Sequence, residues 1–308
     1  MRIVSLLPSA TEIVCLLGLE DSLVGVSHEC DFPPSVAHLP KVVRSTFDAA
    51  ALSQSEIDEK VRTAMLAGGS GCEIDEEALA SLSPDLVITQ ELCDVCAVPQ
   101  AAAAAAVARL VPSPRLLSLH PHSLGDVLAD IRRIGEATGS SDRASGEVAA
   151  LSGRLLGISQ AVARTSRRPR VAALEWLDPV MASGHWVVEM IRRAGGEDFL
   201  GRDREPSVYI SWEDLLRYAP EVIVLMPCGF SVERSAADAS LLARRAGWES
   251  LPAVEAGEVY AVHGAAYFNR SGPRLVEGIE ILAEILHPEI FPRRECPEDY
   301  RRLEGVLV

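Results

Sequence analysis

The 308-residue sequence contains no apolar run approaching the roughly 18 to 20 residues that a membrane-crossing helix requires, so no membrane insertion is expected. It also lacks a block of Lys or Arg: 29 basic against 44 acidic residues leave a formal charge of −15. A field of that sign repels polyanions, which argues against nucleic acid or an anionic membrane surface as partners. The one basic run, RTSRRPR at 164–170, reads as a solvated linker. GxSxG, P-loop and GxGxxG motifs are absent, leaving hydrolase, phosphoryl-transfer and dinucleotide chemistry without footing. The opening MRIVSLLPSATE does not read as an export signal, because Ser5 breaks its short apolar run and Pro8 and Glu12 follow at once. Seven cysteines, an odd number, argue against a secreted disulfide framework. These two features lead to the expectation of a cytoplasmic protein.

What the chain does have is length enough for two lobes and a regular alternation of short β-rich runs with amphipathic helical runs. In the first half RIVSLL (2–7), SLVGVS (22–27), KVVRS (41–45), DLVITQ (85–90) and RLLSLH (115–120) read as strands. Helices are expected at 11–18, 54–66, 75–82 and 100–110, with SATE at 9–12 as a capping box for the first. The second half repeats the plan, with strands RVAALEW (170–176), SVYIS (207–211), EVIVLMP (221–227) and EVYAVHG (258–264), and helices at 186–196, 212–219, 239–248 and 273–286. Gly195-Gly196 is a stop for the first of these helices.

Strand–helix alternation of this kind predicts βα units and mainly parallel sheets. The expected fold class is α/β, with a lobe at 1–123, a helical connector at 124–167, a second lobe at 168–290 and a tail at 291–308. The connector divides into LGDVLADIRRIGEATG (124–139) and a longer helix that SSD (140–142) can cap. Val148, Leu151, Leu155, Ile158 and Val162 fall on one face of the longer helix.

Ligands of open α/β sheets bind outside the carboxyl ends of the strands. Those ends here run into loops rich in polar and aromatic groups: LLPSAT (6–11), SHECDFPP (27–34), QELCDVC (90–96), LEWLDP (174–179), ASGHWV (182–187), MPCGF (226–230) and HGAAYFNR (263–270). The expected ligand site is a cleft formed where the two sets face each other.

RIVSLLPSATEIVCLLGLEDSLVGVSHECDFPP, SPDLVITQ, WLDPVMASGHWVVEMIRRAGGEDFLG, YAPEVIVLMP and VYAVHGAAYFNRSGPRLVEGIEILAEIL closely resemble the class III periplasmic binding proteins. Those proteins serve ABC importers of vitamin B12, ferric siderophores and haem, and the B12-binding branch is the nearest likeness. The resemblance runs over about residues 1–287 and implies two α/β lobes joined by a long backbone helix, with a metal chelate held in the cleft. Carried over by position, it places Pro8, His28, Glu29, Asp31, Phe32, Gln90 and Glu91 on one wall. Glu175, Trp176, His185, Trp186, Tyr267 and Phe268 fall on the other. A cobalamin or other corrinoid is the implied ligand, and aromatic walls suit so large and flat a molecule. An ABC importer is the implied partner if the chain is exported. Without an export signal or lipobox cysteine, a cytoplasmic corrinoid-handling role is the expectation.

Cys30, Cys93, Cys96 and Cys228 all fall in loops after strands, and three readings of them stand. Four thiolates can hold zinc or an iron–sulfur cluster, with His28 or His185 replacing one. Cys93 and Cys96, spaced as CxxC, can form a redox pair. Or all four are small polarizable residues lining an apolar site. Cys15 lies on the apolar face of its helix and reads as core, whereas Cys72 and Cys296 lie in loop or tail sequence. His28 and His185 are each either an axial ligand for cobalt or iron or an ordinary loop histidine. Glu175 and Asp178 are either an acid–base pair or loop-bracing carboxylates.

Overall fold

The computed structural model describes residues 1–67, 69–91, 98–294 and 296–303. The chain forms two α/β lobes with mixed sheets. One compact unit comprises Met1–Pro121 and Gly125–Ala149; the other comprises His122–Leu124 and the chain from Ala150 onward.

In the first unit six strands, β1 (Ile3–Ser5), β2 (Leu23–Ser27), β3 (Lys41–Ser45), β4 (Cys72–Ile74), β5 (Leu86–Gln90) and β6 (Arg115–Leu119), lie in the order β4-β3-β2-β1-β5-β6. All neighbours are parallel except β3 and β4. The central strand β1 is wholly buried, as expected for a parallel strand covered on both faces. Val4, Val42, Val87, Ala103, Ala106 and Val107 form part of one core cluster. The alanine run belongs to helix Gln100–Ala108, whose small side chains let it lie close on β5 and β6.

Two expectations fail here. The first helix spans Pro8–Leu16, not 11–18, with Leu7 at its cap position and Pro8 in its first turn. SATE is therefore not a capping box: Ser9 and Glu12 are buried inside the helix. Pro8 supplies the start instead, since its fixed φ suits a first turn and its missing N–H is not needed there. A reciprocal capping box exists at Ser53 and Glu56, opening helix Gln54–Leu66. Edge strand β4 was unforeseen, and it carries Cys72, which the sequence reading had put in a loop.

In the second unit β7 (Val171–Leu177), β8 (Val180–Ala182), β9 (Val208–Tyr209), β10 (Val222–Leu225), β11 (Val259–Val262) and β12 (Tyr300–Arg302) lie in the order β12-β11-β10-β7-β8-β9. Only β7, β10 and β11 are parallel to one another, and the outer strands run antiparallel. β8 and β12 are unforeseen because each is a three-residue segment stabilised by its partner rather than by its own pattern. Fully buried Trp248 and Leu215 anchor the core on one face of this sheet, with Ala172, Leu174, Ile223 and Leu225. Helix Val187–Arg193 ends as expected at the Gly195-Gly196 pair, with Gly195 at φ +89.

The stretch between the two strand sets is helical at Leu124–Thr138 and Ser141–Val162. Val148, Leu151, Leu155, Ile158 and Val162 are all buried along the latter. Arg154 on that helix forks onto Glu280, with Nε to Oε1 at 2.9 Å and a second nitrogen to Oε2 at 2.8 Å.

Candidate functional site

In the first unit the carboxyl ends of the parallel strands lead into Pro8, the His28–Phe32 loop and Gln90–Glu91, as the sequence placed them. The His28 loop is tied down locally. His28 N–H donates to Val43 O at 3.2 Å, Lys41 Nζ to Cys30 O at 3.2 Å, and Cys30 Sγ lies 3.1 Å from Thr11 Oγ1. Cys30 is buried, whereas Phe32 is 42% exposed, a large apolar surface for a single loop residue. Glu91 N–H donates to Leu119 O at 2.9 Å, and Glu91 O lies 2.7 Å from His120 Nδ1. Cys93 and Cys96 lie outside the described residues.

The second unit carries the better defined chemistry. The β7–β8 ladder shifts register around Glu175, pairing Leu174 with Ala182 but Trp176 with Met181. That irregularity takes Glu175 out of the ladder. Its carboxylate accepts from Ser207 Oγ at 2.5 Å and from Gly184 N at 3.3 Å. Burial pushes its pKa up to about 7, against the pull of these two donors. Burial also raises Asp198, which accepts from Gly201 N, Leu200 N and Ser183 Oγ. Asp178 meets Arg245 at 3.3 Å, so Glu175 and Asp178 have separate partners.

His185 adopts a left-handed φ of +50, uncommon for a residue with a Cβ. Its ring lies 6.2 Å from that of His122 and 5.5 Å from that of Trp186. Its Nδ1 is buried without a hydrogen-bond partner, and burial, then the charge of His122, holds its pKa down. Of the expected aromatic wall, Trp186 and Phe268 are buried, 3% and 0% exposed, and joined by Trp186 Nε1 donating to Phe268 O at 2.7 Å. They brace the loops rather than present a surface. Trp176 stacks at an angle on Phe230, 5.4 Å between centroids, and the Arg234 guanidinium lies 4.7 Å over the same Phe230 ring. Tyr267 is half-buried, its hydroxyl donating to Asp299 Oδ1 at 2.6 Å.

His122, Phe230, Arg234, Ser207 and Asp299 were absent from the expected site residues. Arg234 sits on helix Val232–Asp238, a segment without an expected element, and Ser231 caps that helix. That cap signal was legible.

The four-cysteine centre gains no support. Cys30 belongs to the first unit and Cys228 to the second. Among the described residues no three His, Cys, Asp or Glu side chains are grouped so as to hold a metal ion.

A family model described as periplasmic binding protein matches residues 3–266. The chain is 27% identical over 297 residues to an uncharacterized ABC transporter substrate-binding lipoprotein of Bacillus subtilis, covering 94% of this chain and 81% of that protein. It is 25% identical over 281 residues to a vitamin B12-binding protein of Vibrio cholerae, covering 91% of this chain and 86% of that one. A periplasmic heme binding protein from Pseudomonas aeruginosa has the same fold, with a TM-score of 0.71 at 21% identity and 96% of each chain covered.

The family match and the lipoprotein relative overturn the cytoplasmic expectation, because a periplasmic binding protein family and a lipoprotein point to a place outside the cytoplasm. The cysteines do not oppose this. Burial pushes Cys15 up to about 12 and Cys72 up to about 11, so these thiols stay protonated and report packing rather than redox compartment. Such relatives bind solutes and are not enzymes. The chain belongs to the periplasmic binding protein family.

Proposed function

We propose that this protein binds a corrinoid, or a related metal chelate such as a haem or ferric siderophore, outside the cytoplasm and hands it to an ABC importer. The supporting observation is the likeness to a vitamin B12-binding protein across 91% of the chain. Loops at the carboxyl ends of both sheets supply the contacts in this reading. His28, Glu29, Asp31, Phe32, Gln90 and Glu91 serve from the first unit. Phe230, backed by Trp176, serves from the second together with Tyr267 and His185, the last with its ring 5.5 Å from that of Trp186. Exposed Phe32 and half-buried Phe230, with buried Trp176 packed against the latter, offer apolar area at little entropic loss, which suits a flat macrocycle. Glu175 and Phe268 hold the loops in shape without touching the ligand.

Calorimetric titration of the purified chain with cyanocobalamin, haemin and a ferric siderophore tests this. Saturable binding of at least one chelate at micromolar affinity or better is expected, with cyanocobalamin the tightest. Absence of binding by all three overturns the proposal.

A further inference from the structure

The residues leading into strand β12 lie beyond the family match, which ends at residue 266, yet one of them, Asp299, meets the candidate-site residue Tyr267. The strand pairs antiparallel with β11, Val262 opposite Tyr300, and His263 N–H at the end of β11 donates to Asp299 O at 2.9 Å. Asp299 is thereby fixed by backbone pairing just before β12 begins. Its Oδ1 accepts from the Tyr267 hydroxyl at 2.6 Å, a short, charge-assisted bond. The segment is held elsewhere as well: Tyr300 OH donates to Glu284 at 3.1 Å, and Arg302 donates to Gly257 O and Glu258.

A phenol has one proton to donate and lone pairs with which to accept. With that proton committed to Asp299, the Tyr267 oxygen faces its surroundings as an acceptor, backed by a carboxylate. A ligand carboxylate placed against that oxygen finds no donor on the phenol and meets the charge of Asp299, with the Arg274 guanidinium 5.7 Å from the ring centroid as the cation beside it. A primary amide, in contrast, can donate to the phenol oxygen. We propose that Asp299 is a positioning residue that makes Tyr267 an acceptor for an amide N–H of the ligand, favouring amide-bearing chelates such as corrinoids over carboxylate-bearing ones. This rests on the reading of Tyr267 as a ligand contact given above.

The test is a double-mutant cycle on cyanocobalamin affinity, with haemin as the carboxylate-bearing comparison. Asp299→Ala is expected to weaken cyanocobalamin binding about 3- to 10-fold, the range of one hydrogen bond. Asp299→Asn, whose side-chain oxygen still accepts, is expected to restore most of it. In a Tyr267→Phe background Asp299→Ala is expected to change nothing further. Equal weakening in both backgrounds means that Asp299 acts only on the fold, and that result overturns the inference, as does an unchanged affinity in the single variant. Haemin affinity that falls as far as cyanocobalamin affinity in Asp299→Ala overturns the amide preference.

An ultraviolet titration without ligand separates this inference from the function it rests on. Burial first and the accepting Asp299 carboxylate second disfavour the Tyr267 phenolate, so the phenol transition lost in Tyr267→Phe is expected at lower pH in Asp299→Ala, where the second cause is removed. If that transition does not move, the positioning role fails whatever the protein binds. If it moves while the wild-type chain binds none of the chelates, the proposed function fails and the amide preference with it.

Discussion

Ser207 Oγ stands 2.5 Å from Glu175 Oε2, joining the loop ahead of β9 to the irregular register of β7. The bond holds a carboxyl group whose pKa is raised from 4.5 to about 7 by burial. Between those values the folded chain holds a proton that the unfolded chain has released. Stability is therefore expected to fall as pH rises from about 4.5 to about 7 through this group, and to level off above that. Asp198, also raised, adds to the same trend. Denaturant unfolding across that pH window should show a shallower decline in Glu175→Gln than in the wild type. An unchanged slope would place the proton elsewhere.

Gly184 is next to this bond, and its position admits no side chain. A Cβ there would meet Ser207 N, Glu205 O and the carbonyl carbon of Pro206, all backbone atoms that cannot rotate away. Gly184→Ala is expected to cost about 2–3 kcal/mol in unfolding free energy, within the range for overpacking. A change below about 0.5 kcal/mol, the size of an ordinary surface substitution, would contradict the tight approach.

Ala219 ends helix Trp212–Tyr218 with φ +50 and ψ 64, a left-handed conformation that its Cβ disfavours. The side chain costs about 1–2 kcal/mol in this region, partly offset by the roughly 0.5–1 kcal/mol of extra backbone entropy a glycine loses on folding. Ala219→Gly is expected to raise stability by about 0.5 kcal/mol, read as a higher denaturation midpoint at constant m. A lower midpoint would refute the strain.

The cysteines give a chemical check. With their pKa values at about 12 and about 11, Cys15 and Cys72 are expected to resist alkylation by iodoacetamide at pH 8 in the folded chain and to react on unfolding. Peptide mapping after brief labelling reads this directly. Rapid modification of Cys15 in the native state would contradict its protected setting.

Much of the parallel framework was legible because a strand buried on both faces must be apolar throughout. RIVSLL, DLVITQ and EVIVLMP declare themselves in this way, as β1, β5 and β10. The short antiparallel strands β4, β8 and β12 were not legible, since each is three residues long and depends on a partner distant in sequence or on a tight turn. The false cap at Ser9 shows the limit of a local motif: Pro8 begins the helix three residues before the expected start and carries Ser9 and Glu12 inside it. The site was legible as a set of loops, because strand ends and polar or aromatic runs are both sequence features. The division of labour inside those loops was not. Trp186 and Phe268 look like ligand contacts in sequence, and only their mutual hydrogen bond and burial show them to be braces. Asp299 was hidden for the opposite reason, being brought to Tyr267 by a strand pairing that no local pattern announces.

Equilibrium dialysis of the purified chain against cyanocobalamin, followed by the visible absorption of the corrinoid, tests the central claim most directly. The expected result is retention of one corrinoid per chain at micromolar free ligand, reduced in Tyr267→Phe and Phe32→Ala. Equal corrinoid concentrations on both sides of the membrane would contradict a corrinoid-binding role.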